Sequence, residues 1–434
     1  MRNPKVPNLR SGLPPEQQEI WDRMAIEKSP VRGFIATRLL KPKILSLYDA
    51  IYNNTESDAE HMASFDSRNY VSTHMSHGDY VLQGTLIHDL GLPIPKILGR
   101  ERLLEKMKTS PSRKDRIIAP AMGHFLVKFP NEESHRNIAT LQKYLTHLHL
   151  DDDDLLMYSA GLSINGIKPF EAMLIAPSLA AQRISDKHGL GKDIAVVPTL
   201  SVPEVIPDYT FYGDKSLREK DADSARWGLI FDHAKSGFKG DLTTYYGAPI
   251  SMKKLLSEYP GATDKELRNL RGMVQEMAWG RVMGNFPLQS TNILAYALLD
   301  LIFKGSQAQH YDHLFSLLPE SSSDKFDTGQ VHSEILSGRH DIPKQEIYRA
   351  IANVLQTAKE YHIPLAKNIE GQTAETIAER ALKLFNQSKK RVIFNENGIL
   401  VPGQTHDGTE AAFLMYASVA NQIINYHKMK PSRT

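Results

Sequence analysis

Val71-Ser72-Thr73-His74-Met75-Ser76-His77-Gly78-Asp79-Tyr80 is a short apolar run that breaks into a loop and delivers a histidine and an aspartate with four residues between them. The β-prone residues from Asn69 to Thr73 predict a strand that ends at His74. Tyr80, Val81, Leu86 and Ile87 follow at helical spacing and predict a helix over Tyr80–Leu90. Asp79 falls in its first turn, where the helix dipole favours an anion. A strand-to-helix loop can fold the two side chains together. Imidazole placed this way takes the proton of a hydroxyl as it attacks a carbonyl, and a carboxylate behind the ring holds its tautomer. Two plainer readings compete. Asp79 can be a helix cap and His74 a hydrogen-bonded loop residue. His74, His77 and Asp79 can also be read as metal ligands, although no second cluster of matching density follows.

Working outward, short β-rich runs alternate with helical ones. Further strands are predicted over Arg116–Ala119, His124–Lys128, Leu155–Tyr158, Ala195–Val202 and Leu242–Tyr246, and a second helix over His135–Leu148. This alternation predicts an α/β fold, a mixed sheet flanked by helices, over residues 63–258. Residues 1–62 read as an N-terminal helical segment that starts near Pro14-Pro15-Glu16. Residues 259–434 read as a C-terminal helical region, with helices over Asp264–Arg281, Thr291–Lys304, Ile347–Tyr361, Ala374–Phe385 and Glu410–Lys428. Leu318–Lys325 reads as a linker-like break, and Val392–Phe394 with Ile399–Val401 reads as a hairpin around Asn395-Glu396-Asn397-Gly398. There is no internal repeat.

Composition removes several classes. Lys and Arg total 52 against 50 Asp and Glu, so a net charge of +2 gives no electrostatic case for nucleic acid. The absence of cysteine excludes disulfides, thiolate zinc sites and thiol nucleophiles, and it fits a reducing compartment. No stretch reaches the roughly 18 apolar residues of a spanning helix, and Met1-Arg2-Asn3-Pro4-Lys5 is no secretory signal; a cytoplasmic location is expected. Arg32–Tyr52 mixes Phe34, Ile35, Leu39 and Leu40 with Arg38, Lys41 and Lys43 around Pro42. That pattern fits an N-terminal helix pair packed on the core, or peripheral docking at a membrane surface. Asp151–Asp154 reads as a solvated loop rather than a divalent-ion site, and no metal or resident cofactor is expected.

The His74 block resembles the His-x4-Asp motif of the glycerolipid acyltransferases, and later segments follow in the order of the glycerol-3-phosphate acyltransferase branch. Gly123-His124-Phe125-Leu126-Val127-Lys128 resembles the family's second block, an apolar strand ending in a basic residue. Leu155 to Gly166 occupies the place of the third block, and Ile194 to Val202 is similar to the fourth. Tyr245-Tyr246-Gly247-Ala248-Pro249-Ile250 resembles the strand and turn that close such domains, and Gly272–Leu299 resembles the helices that follow in longer members.

The resemblance implies a glycerolipid-acyltransferase-like sheet and an O-acyltransferase. The donor would be acyl-CoA or acyl-carrier protein, the acceptor glycerol-3-phosphate or a related alcohol. It makes His74 the general base and Asp79 its orienter, with Gly78, Lys128, Gly161, Ser163 and Lys168 around the substrates. Backbone amides near Gly78 or Gly161 would be oxyanion donors. The third block departs from the family pattern. Ser159 stands for its glutamate and Leu162 for the arginine expected on the acceptor phosphate, while Gly161, Ser163 and Gly166 fit. Leucine cannot imitate a bidentate guanidinium contact, which is worth roughly 1.5–3 kcal/mol. Lys128, Arg136, Lys168 and Arg183 are candidates to supply the missing charge. The alternatives are a non-catalytic acyl- or lipid-binding descendant of the fold and a thioester hydrolase.

Overall fold

The computed structural model describes residues 6–24, 41–56, 59–76, 78–100, 126–129, 134–158, 167–208, 228–230, 232–303, 309–317, 330, 333, 342–386 and 409–430. The chain is α/β, with one mixed eight-stranded sheet flanked by helices. Helix α1 (Pro15–Met24) and a short α2 (Lys41–Leu45) come first, followed by β1 (Ile51–Thr55) and the one-turn α3 (Ala59–Ala63). Strand β2 (Ser67–Ser72) leads into α4 (Asp79–Asp89), β3 (Lys96–Arg100), β4 (Leu126–Phe129) and α5 (His135–Leu150). Next are β5 (Leu155–Tyr158), α6 (Ala176–His188), β6 (Ile194–Pro203), β7 (Leu242–Tyr246) and the two-residue β8 (Ile250–Ser251).

The strand order is β1-β7-β6-β2-β5-β3-β4, with β8 pairing on β6. From β6 to β4 the pairs are all parallel, whereas β7 and β8 run antiparallel to β6. Strands β2 and β6 are buried on both faces, as expected at the centre of a parallel sheet. One face packs Tyr70, Ile97, Leu126, Leu156, Val197 and Tyr246 against Ile87 of α4. The other packs Val71, Met157, Val196 and Leu200 against Leu141, Leu145 and Leu148 of α5 and Leu179 of α6.

Beyond Ser251 the described chain is helical: α7 (Met252–Ser257), α8 (Asp264–Gly284), α9 (Ser290–Ile302), α10 (Gln309–Ser316), α11 (Lys344–Glu360), α12 (Ala374–Asn386) and α13 (Thr409–Met429). Helix α9 is buried on nearly all sides and packs against α11, α12 and α13, which fits the apolar run from Ile293 to Leu299. A single apolar cluster runs from Val71 in the sheet to Ile424 in α13, so the helical region shares a core with the sheet.

Two expectations need correction. Residues 51–55 form an edge strand inside the stretch read as helical, because parallel pairing with β7 supplies hydrogen bonds that the polar Asn53-Asn54-Thr55 does not advertise. Lys96–Arg100 is a strand that the sequence reading passed over. Arg116–Ala119, the Leu318–Lys325 break, the hairpin at 392–401 and residues 32–40 of the stretch Arg32–Tyr52 lie outside the described residues.

The end of α5 carries a buried polar cluster with a pH signature. His149 is fully buried, its Nδ1 2.6 Å from Ser67 Oγ and its Nε2 3.2 Å from Ser178 Oγ. Burial lowers its pKa to about 3. In the unfolded chain the imidazole binds a proton near pH 6.5, so its contribution is complete above that pH and is lost as the pH falls through 6.5 towards 3. At pH 5 the loss is about 2 kcal/mol. Asp154 shifts the opposite way. Burial raises it to about 6 against the pull of Arg68, whose Nε lies 2.9 Å from Oδ2. Urea unfolding at pH 7 and pH 5 in wild type and His149→Gln isolates the histidine: the variant should lose about 2 kcal/mol less on acidification. Equal losses would contradict this assignment.

Candidate functional site

Strand β2 ends at Ser72, and the loop that follows carries the chain over the carboxyl end of the parallel strands to Asp79, the first residue of α4. Neighbouring β5 is followed by α6 on the opposite face of the sheet. Two adjacent strands that send their connections to opposite faces open a crevice at their carboxyl ends, where α/β proteins commonly bind ligands. His74 follows β2 and Tyr158 ends β5 at those carboxyl ends.

The predicted pair does meet. Asp79 Oδ2 lies 3.4 Å from His74 Nδ1, and both side chains are almost fully buried. The same oxygen accepts the backbone N–H of Met75 at 2.7 Å and of Ser76 at 2.8 Å, which holds the carboxylate at the mouth of the helix. The carboxylate therefore braces the loop rather than capping the helix, whose N-cap is Gly78 with no side-chain cap bond. Ser76 ties the loop together. Its Oγ accepts the Gly78 N–H at 3.1 Å and donates to Asp208 Oδ1 at 2.7 Å, and its carbonyl accepts the Asp79 N–H at 3.0 Å.

Tyr158, the last residue of β5, completes the pair's surroundings. Its ring centroid lies 4.7 Å from that of His74, tilted 44°, and its hydroxyl donates to the Asp79 main-chain carbonyl at 2.7 Å. Behind the pair, buried Tyr48 has its phenol pushed well up by burial, then by the charges of Asp79 and Asp208. The Tyr416 hydroxyl of α13 accepts the Ile206 backbone N–H at 2.8 Å and so fixes the segment that carries Asp208. Gln83 of α4 donates to Ser72 Oγ at 2.6 Å and Ser201 Oγ at 3.0 Å, bracing the helix on β2 and β6.

The other expected site residues divide. Gly78 is buried beside the pair, and its N–H donates to Ser76 Oγ. Lys128 is half-buried on edge strand β4, in register with Gly99 and three strands from β2, roughly 14 Å in backbone spacing. Lys168 is half-buried beside Ile167, whose N–H donates to Gln422 of α13 at 2.7 Å. Arg136 pairs with Glu16 and Arg183 with Asp264, all on exposed surface, so neither arginine is a poised phosphate ligand. Gly161, Ser163 and His77 lie outside the described residues. Among the described residues no group of three or more His, Asp or Glu could hold a metal, and no helix is long and apolar enough to cross a membrane.

Sequence reading missed Ser76, Tyr158, Asp208 and Tyr416. Only Tyr158, at the end of a predicted strand, carried a signal. No family model matches the chain, and no curated protein matches it.

Proposed function

We propose that the chain is an O-acyltransferase that moves a fatty acyl group from an acyl-CoA or acyl-carrier-protein thioester to a hydroxyl of glycerol-3-phosphate or a related glycerolipid acceptor. The observation that carries this reading is the buried His74–Asp79 pair at the carboxyl end of the sheet, with Nδ1 facing the carboxylate. The order of the sequence blocks that resemble the glycerolipid acyltransferases supports it.

His74 Nε2 takes the acceptor's proton as its oxygen attacks the thioester carbonyl, and the C–O bond forms. The tetrahedral intermediate collapses, the C–S bond breaks, and the leaving thiolate recovers the proton from His74. Asp79 keeps the proton of the resting imidazole on Nδ1 and stabilises the imidazolium. Direct attack suits the local chemistry. Ser72 Oγ already accepts from Gln83 and donates to Thr73 O at 3.1 Å, and Ser76 Oγ is committed to Asp208 and Gly78. Neither is placed as an acyl-accepting nucleophile. The thioester is already activated. Peripheral contact with a membrane belongs to the same reading, since the acceptors are lipids or their precursors.

A second reading rests on the third block, where Ser159 and Leu162 replace the residues that the resemblance implies for the acceptor phosphate. It describes a protein that binds acyl chains without transferring them. The experiment that separates the readings offers labelled long-chain acyl-CoA, and separately acyl-carrier protein, to the purified chain. The acceptors are glycerol-3-phosphate, dihydroxyacetone phosphate, lysophosphatidic acid and a non-phosphorylated alcohol. An ester product is expected. Free acid alone would replace the reading with hydrolysis, and thioester bound but unconsumed would replace it with binding.

A further inference from the structure

We propose that Tyr158 is a positioning residue that sets the orientation and tautomer of His74, an inference that rests on the acyl-transfer reading above. Tyr158 pairs in register with Ser72, the last residue of β2, so its side chain stands at the level where the chain leaves the sheet for the loop. Two contacts of one side chain then reach both members of the pair. The ring lies against the imidazole, at 4.7 Å between centroids. The hydroxyl holds the carbonyl of Asp79 at 2.7 Å, in the first turn of α4, and thereby the backbone from which the carboxylate projects.

The physical case is one of shared reference. His74 Nδ1 and Asp79 Oδ2 are 3.4 Å apart, longer than an ideal hydrogen bond, so small rotations of the ring decide whether Nδ1 or Nε2 carries the proton. Tyrosine has few rotatable bonds, an apolar body and a polar tip, which suits it to fix two groups at once. Its place at the strand end is set by the sheet register, so the reference is rigid.

Two variants separate the contacts. Tyr158→Phe keeps the ring and removes the hydroxyl. It should lower kcat roughly fivefold to tenfold, the effect of one hydrogen bond, with KM unchanged. Tyr158→Leu removes both contacts and should lower kcat about 100-fold, as expected when a reacting group is misplaced by about 1 Å. The direct readout is the pair of imidazole ¹⁵N shifts of His74, assigned by their absence in His74→Gln, because they report which nitrogen carries the proton. Both variants should move those shifts towards a tautomer mixture, which a purely structural role would leave alone. Unchanged ¹⁵N shifts and a kcat within twofold of wild type, in a protein that needs His74 for transfer, would overturn the proposal and leave the acyl-transfer reading standing. If the wild type acylates no acceptor, that reading fails, and the ¹⁵N shifts still decide whether Tyr158 positions the ring.

Discussion

On the proposed acyl-transfer reading, replacing His74 with alanine should cut the rate of ester formation by about 10²–10⁴-fold, the range over which a positioned general base contributes. KM for the acyl donor should change little, because the group acts on the proton transferred in the transition state rather than on ground-state binding. Asp79 requires two variants, since its Oδ2 serves both the imidazole and the loop amides of Met75 and Ser76. Asp79→Asn retains an oxygen for those amides but offers no charge to an imidazolium, so activity should fall steeply while the melting temperature stays close to wild type. Asp79→Ala also releases the two N–H groups and should lower stability by about 1–3 kcal/mol. Steady-state ester formation and thermal unfolding on the same preparations check both. A His74→Ala protein that still makes ester at half the wild-type rate would remove the pair from the mechanism, whatever the product. Equal activity for Asp79→Asn and wild type would reduce Asp79 to a brace of the loop.

The legibility of this pair has a physical reason. His74 and Asp79 are joined by a local loop, so spacing along the chain carried the information. Strands β5 and β7 were read at their observed limits because one is a short apolar run and the other a short run of β-branched and aromatic residues. In the last third, Thr263 and Glu266 form the capping box that starts α8 at Asp264, and the amphipathic pattern then fixes the helix face. Strand β3 was hidden because Pro93 and Pro95 precede it and Gly99 lies within it, all of which read as turn signals. A Cβ there would sit 2.5 Å from Leu126 Cδ1 of the paired strand, so any larger residue requires that side chain to shift. Ser76 with Asp208 is a contact over 132 residues, and Tyr158 with Asp79 one over 79. Both depend on the strand order β6-β2-β5, which no local pattern encodes.

Replacing Arg380 of α12 with methionine should destabilise the chain by about 3–5 kcal/mol, because it strands a buried carboxylate. Glu204, directly after β6, is fully buried and receives Arg380 Nε at 2.7 Å and Nη2 at 2.6 Å. Asn368 Nδ2 at 3.0 Å, the Asp241 N–H at 3.1 Å and the Ser290 hydroxyl complete its shell. Nη2 also donates to Asp241 Oδ2 at 3.0 Å, and the guanidinium lies 5.1 Å from the centre of the Phe238 ring. The network therefore joins the ends of β6 and β7 to α9 and α12, and four residues beyond Glu204 the chain reaches Asp208, the anchor of the His74 loop. Burial already raises the Asp241 carboxyl, and loss of Arg380 removes the cation that opposes that shift. A carboxyl whose folded pKa lies above its unfolded value loses stability as the pH rises, so the deficit of Arg380→Met should be larger at pH 8 than at pH 5. The double variant Glu204→Gln/Arg380→Met removes both charges and should recover part of the loss, which a double-mutant cycle in urea measures. A single-variant loss below about 1 kcal/mol would mean that Glu204 finds other compensation. A larger one, with ester formation falling in parallel, would show that the helical region stabilises the site through the segment from Glu204 to Asp208.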